Sequence, residues 1–77
     1  MDYKAMARDR SCNFVAELRR KTGHEYRIRT YTLGEHHMVI HDANRREDVM
    51  FFGGKRWKDV FGSVRDSWNA FCTLRDA

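Results

Sequence analysis

Between Glu25 and Phe52 the sequence reads as a meander of strands, and its most regular part, Tyr26-Arg27-Ile28-Arg29-Thr30-Tyr31, alternates strictly. Successive side chains of a strand point to opposite faces, so Arg27, Arg29 and Tyr31 fall on one side and Ile28 on the other. A chain with this pattern must place one face of its sheet on a core. The other face then shows cations and a tyrosine to solvent, a surface suited to polyanions.

Gly34-Glu35 marks one turn and Ala43-Asn44-Arg45-Arg46-Glu47 a second, which gives strands near 25–33, 36–42 and 48–52. A turn centred on Gly34 pairs Ile28 with Ile40, Thr30 with Met38 and Thr32 with His36 on the buried face. It gathers Arg27, Arg29, Tyr31, His37, Val39 and His41 on the other. A slip of one residue would set Arg29 beside Ile40 on the buried face, which the cost of burying a guanidinium disfavours. The third strand stays open, because either Met50 and Phe52 or Val49 and Phe51 can turn inward.

Helices flank the meander. From Tyr3 to Thr22 the residues Tyr3, Ala7, Ser11, Phe14, Val15 and Leu18 share one helical face, and Gly23 supplies the stop. Arg19-Arg20-Lys21 then lies where cations complement the helix dipole, which accounts for the triplet without a bound phosphate. Towards the C-terminus Trp57, Val60, Phe61, Val64, Trp68, Phe71 and Leu74 form one apolar arc. Gly62 and the capping-box pattern of Ser63 and Asp66 allow a break in that helix. A hairpin at Gly53-Gly54 leading to a fourth strand over 55–61 is the competing reading, and the unbroken arc favours the helix. The aromatic stripe reads as core, not as a stacking surface. With the first helix it is expected to bury Phe14, Leu18, Ile28, Ile40, Phe61, Val64, Trp68 and Phe71.

The 77 residues are expected to form a single α+β domain, 42% hydrophobic and 34% charged, with a formal net charge of +4. That balance fits a folded, well-solvated chain that favours acidic partners. Met1-Asp2-Tyr3-Lys4 is not followed by the apolar segment of a secretory signal, and no run has the length of a membrane span. A cytoplasmic location and no membrane partner are therefore expected. Cys12 and Cys72 have no metal-ligand or redox spacing and read as reduced thiols.

Signals for chemistry are sparse. His36 and His37 point to opposite faces of one strand, and His37 and His41 lie about 13 Å apart along it. One zinc ion, with bonds to imidazole of about 2.1 Å, cannot bind that pair, so no metal and no cofactor are expected. His41-Asp42 resembles a nuclease pair in composition, but neighbours on a strand face apart and nothing else marks a nucleophile or base; no catalytic residue is assigned. Gly53-Gly54-Lys55-Arg56 lacks the rest of a phosphate-loop pattern. The same segment, extended to Lys58, places three cations beside the free N–H groups of a helix start and reads as a candidate anion site.

Tyr26-Arg27 opening a strand, Ile40-His41-Asp42 closing the second, 49–53 in the third and an amphipathic helix after it together resemble three-stranded-sheet-plus-helix DNA-binding modules. AP2-type domains and the arm-binding domains of phage-type integrases share that order. Preceded by a helix, the αβββα order is also similar to double-stranded-RNA-binding domains, in which Lys55, Arg56 and Lys58 would match the basic start of the last helix. The resemblance spans Tyr26 to Leu74. It implies that the sheet face, with Arg27, Arg29 and Tyr31, reads the groove in the DNA case, and that the helix start holds phosphates in the RNA case. By size, compactness and lack of proline the chain is also similar to the small proteins that phages and mobile elements direct against host defence, anti-CRISPR proteins among them.

The expected architecture is a three-stranded antiparallel meander with an N-terminal and a C-terminal helix packed on one face. The expected function is a non-enzymatic basic binding module for nucleic acid or for a nucleic-acid-handling protein complex. Its candidate binding residues are Arg27, Arg29, Tyr31, His37, His41, Lys55, Arg56 and Lys58. The alternative is an inhibitor of a host defence complex that acts by protein–protein binding.

Overall fold

The computed structural model describes residues 1–76. Its elements follow in the order α1 (Tyr3–Thr22), β1 (Tyr26–Leu33), β2 (Glu35–Asp42), β3 (Glu47–Gly54) and α2 (Trp57–Asp76). The strands form one antiparallel sheet in the order β1-β2-β3. This is the αβββα arrangement that the alternation, the turn residues and the two apolar helical faces imply. Asp2 caps α1 by accepting the Ala5 N–H at 3.0 Å, and Gly23 ends it in the left-handed conformation, its N–H on the Arg19 carbonyl.

The β1–β2 register pairs Ile28 with Ile40, Thr30 with Met38 and Thr32 with His36, as the Gly34 turn requires. The third strand resolves through a bulge. Ile40 pairs with Met50 but His41 pairs with Asp48, so Val49 is the extra residue. The bulge turns Met50 and Phe52 inward while keeping Asp48 on the opposite face beside His41. Strict alternation would have carried a carboxylate into the core along with Met50.

Both helices cover the face that holds Ile28, Ile40, Met38 and Phe52. Ala7, Phe14, Val15, Tyr26, Met38, Ile40, Phe52, Val60 and Val64 are buried, with Leu18, Ile28, Met50, Trp57, Phe61, Trp68 and Phe71 packed around them. Small residues let α1 approach the sheet: Ala7 and Ser11 are fully buried, and the Ser11 hydroxyl donates to Met38 Sδ at 3.3 Å. Phe14 meets the Trp68 ring edge-on, with centroids 5.1 Å apart, and lies 6.0 Å from both Phe52 and Phe71.

α2 runs unbroken through Gly62 and Ser63, so 55–61 holds a helix start and not a fourth strand. Leu74 departs from the expected arc. It is 78% exposed, while its neighbour Arg75 reaches Glu17 of α1. Phe61, Trp68 and Phe71 are half-buried, and cations cover their open edges: Arg65 over Phe61, Lys21 over Phe71 and Arg75 over Trp68. A Cβ on Gly54 would stand 2.7 Å from the Asp59 Cβ, so the return of the chain from β3 into α2 depends on glycine there.

The loop end of the sheet is organised by Asp42, which is 1% exposed. Its Oδ1 accepts the N–H groups of Asn44 and Arg45, and its Oδ2 lies 2.8 Å from His24 Nδ1. Ala43 N–H donates to the Glu25 carbonyl, and Glu25 N–H to the Asn44 side chain, so this carboxylate ties the α1–β1 loop to the β2–β3 turn. Burial pushes the Asp42 carboxyl up, but the bond to His24 and the backbone donors outweigh it and leave the group below its ordinary range.

A carboxyl depressed in the folded state stabilises the fold above its unfolded pKa of about 3.9, and that contribution disappears as the pH falls through the lower folded value. Asp42→Ala should therefore lower the melting temperature at neutral pH, and its deficit relative to the parent should shrink below about pH 4. Thermal melts by circular dichroism across that range check this. A deficit constant with pH would mean that Asp42 acts by packing alone.

Candidate nucleic-acid interface

The helices leave the other sheet face bare. The Cα extents are 32 × 31 × 16 Å, the proportions of a two-layer slab in which this face forms one broad side. The register builds it in rows. Arg27, His41 and Asp48 make one, Arg29, Val39 and Phe51 the next, and Tyr31, His37 and Gly53 the third, with Leu33 beyond at the hairpin end.

The middle row is apolar at its centre. Val39 is only 2% exposed despite facing away from the helices, flanked by Arg29 and Phe51, whereas Phe51 itself is 65% exposed. In the third row the Tyr31 and His37 rings stack with centroids 4.7 Å apart and planes 16° from parallel. A Cβ on Gly53 would stand 3.1 Å from His37 Nδ1, so a glycine in this strand leaves room for the imidazole. In the first row His41 Nδ1 lies 2.8 Å from Asp48 Oδ1, which engages the one acidic side chain of the three rows.

The cations of the chain divide into two groups. Arg19, Arg20, Arg45, Arg56, Arg65 and Arg75 are in ion pairs, and Lys4 and Lys21 lie over the Trp57 and Phe71 rings. Among the described residues Arg8, Arg10, Arg27, Arg29, Arg46, Lys55 and Lys58 have neither a carboxylate within 4.0 Å nor a ring beneath them, and of these Arg27 and Arg29 are the two exposed on β1. They point outward on the same face as Tyr31, His37 and His41, as the alternation of β1 implies.

Lys55, Arg56 and Lys58 lie apart from that group. They follow β3, at the sheet edge opposite β1, where the chain turns toward the helix layer. The Arg56 guanidinium forks onto Asp59, with Nε and Nη2 each 3.1 Å from a carboxylate oxygen, and the Arg56 N–H donates to the same group. That bond holds the Asp59 carboxyl below its ordinary range and raises Arg56. The helix start is thus already complemented by a carboxylate of its own first turn. Lys58 lines a shallow groove between the two helix starts with Tyr3, Met6 and Phe61. The Arg19-Arg20-Lys21 triplet is engaged in the same way, by Glu25, Glu17 and the Phe71 ring.

His41 and Asp42 face opposite sides of the sheet and bind different partners, Asp48 and His24. His36 faces the helices, 2.9 Å from Thr32 Oγ1 and stacked on Trp57. No group of three His, Cys, Asp or Glu side chains among the described residues could hold a metal ion. Cys12 and Cys72 are free thiols, and no helix among the described residues is long and apolar enough to cross a membrane.

Phe51, Val49, Leu33 and Gly53 belong to this face and did not emerge from the sequence as part of it. Leu33 shares the parity of Tyr31 in β1; the bulge hides the three β3 residues, because alternation counted from Asp48 gives the wrong side for everything after it. A charged Asp48 two positions before an apolar Met50 is the available signal of an inserted residue.

Comparison with protein-family models, with curated proteins and with solved structures found no match to this chain.

Adjacent phenylalanines test which way up β3 lies. Phe52→Ala should cost about 3–5 kcal/mol, since its ring is buried against Phe14. Phe51→Ala should change stability by no more than about 0.5 kcal/mol. Urea denaturation of both variants measures the two costs, and a reversed order would invert the strand.

Proposed function

We propose that the chain is a non-enzymatic binding module that takes nucleic acid on its bare sheet face. The observation that carries this is the pairing of Arg27 and Arg29, exposed and without intrachain carboxylates, with exposed aromatic rings on the same three-stranded surface. Phosphate is met by unpaired guanidinium groups, which present a planar fork of donors, and bases are met by rings. The net charge of +4 attracts a polyanion over a longer range. Lys55 and Lys58 are exposed at the far edge and add to that general field, while Arg56 is committed to Asp59.

The composition of the face supports one other reading. Arginine and tyrosine beside an exposed phenylalanine are also what protein interfaces use as anchors, and an acidic surface on a nucleic-acid-handling complex would fit the same residues. An inhibitor encoded by a phage or mobile element could work in this way. Capture from host lysate with and without nuclease separates the two, because a protein partner survives the treatment.

For nucleic acid the expected outcome is quantitative. Arg27→Ala combined with Arg29→Ala should leave the melting temperature nearly unchanged, as exposed substitutions do. It should weaken binding by about 2 kcal/mol and flatten the plot of log K against log salt by about 1.4 to 1.8 units, the share of two phosphate contacts. Fluorescence anisotropy over a salt series measures both. Unaltered binding by the folded double variant would move the site off this face.

A further inference from the structure

Resting on that reading, we infer that the ligand is a single-stranded polynucleotide whose bases stack on Phe51 and on the open face of Tyr31. The rings are the reason. Phe51 carries no hydrogen-bonding group, so it cannot read the polar edges that a duplex groove displays, yet it is the most exposed ring of this face. A flat apolar ring is covered well by the flat face of a base, and in a duplex those faces are already stacked on one another.

Tyr31 offers the second platform. His37 occupies one side of its ring, backed by the space above Gly53, and the tyrosine remains 46% exposed on the edge strand. A base laid on its other side extends an existing column. The His37 contact fixes the orientation of the ring before any ligand arrives, which reduces the side-chain entropy lost on binding.

The spacing selects the same ligand. Phe51 and Tyr31 are two strands apart and offset by two residues, which places their backbones about 12 Å apart. Bases of a duplex strand rise by about 3.4 Å each, too little for neighbours to reach both rings. An extended strand with its bases splayed can do so, while Arg29, in the row of Phe51, and Arg27 beyond it lie where phosphates would pass. Stacking of this kind tolerates any base, so weak sequence preference is part of the inference.

The test uses fluorescein-labelled oligothymidylate and oligouridylate dodecamers, a duplex of the same length, and an abasic strand that keeps the phosphates and lacks the bases. The parent protein should bind the two single strands at least about tenfold more tightly than the abasic strand or the duplex. Phe51→Ala should lose about tenfold on the single strands and little on the abasic one. Phe51→Leu, which keeps the apolar bulk without the ring, should resemble it and serves if the alanine variant misfolds.

A preference of the thymidylate over the uridylate strand, or the reverse, would assign the ligand to DNA or RNA within the inference. Equal affinity for the abasic strand, or preference for the duplex, would overturn base stacking and leave the phosphate reading of the face standing. Absence of binding to all four probes by the folded protein would overturn both and turn the search to a protein partner.

Discussion

Phe14 is the point at which the layers are joined. Its ring lies within 6.0 Å of Phe52 on the sheet and of Phe71 on α2, and meets Trp68 at 5.1 Å. One side chain of α1 therefore fixes the second helix and the third strand together. Aromatic pairs of this kind add directional preference to the area they bury, so they set relative orientation as well as distance. Because this cluster draws both helices to one side, the other side of a three-stranded sheet is left without cover. The bare face is a consequence of where Phe14 points.

The charges follow the same division. On the helix side, cations serve the core: Arg65, Lys21 and Arg75 lie over the half-buried rings, and Arg20 and Arg75 close on Glu17, whose carboxyl the Arg20 hydrogen bond holds below its ordinary range. Individually such exposed pairs contribute little, but they finish the edges of a core that is small for its aromatic content. Arg27 and Arg29 have no such task. They neither cap a helix nor cover a ring in the described structure.

Much of this was legible in the sequence, for reasons that can be located. Alternation in β1 sets the face of every residue from Tyr26 to Leu33, and Gly34 transmits that parity to β2, so the β1–β2 register could be derived before any coordinates. The bounds of α1 were equally accessible, since Gly23 and the 3.6-residue pattern mark them, whereas the start of α2 stayed open between a helix and a fourth strand over 55–61. What failed to carry was parity across Asp48 and Val49, because a bulge adds a residue without a composition signature strong enough to read alone. The position of Lys55, Arg56 and Lys58 was also out of reach. Nothing in their spacing says that Gly54 sends the chain toward the helix layer, or that Asp59 will satisfy Arg56. The outward placement of Arg27 and Arg29 was visible, and the phenylalanine that shares their surface was not.

The composition of the bare face is not what stability alone would select. Two arginines on alternate residues of one strand stand about 7 Å apart and repel each other, while an exposed phenylalanine gains nothing from water. Folding tolerates both because neither is buried, but neither supports it. On an edge strand the pair has one structural benefit, since outward charges discourage a second chain from pairing with the open edge of β1. That benefit does not extend to Phe51, which sits on β3 at the far side of the sheet and would favour self-association if it stood among apolar neighbours. In its row stand Val39, which is only 2% exposed and so adds little open apolar area, and beyond it the Arg29 guanidinium. A surface of this kind resists its own copy by charge, and it becomes favourable only when the arriving partner brings negative charge and flat apolar area together.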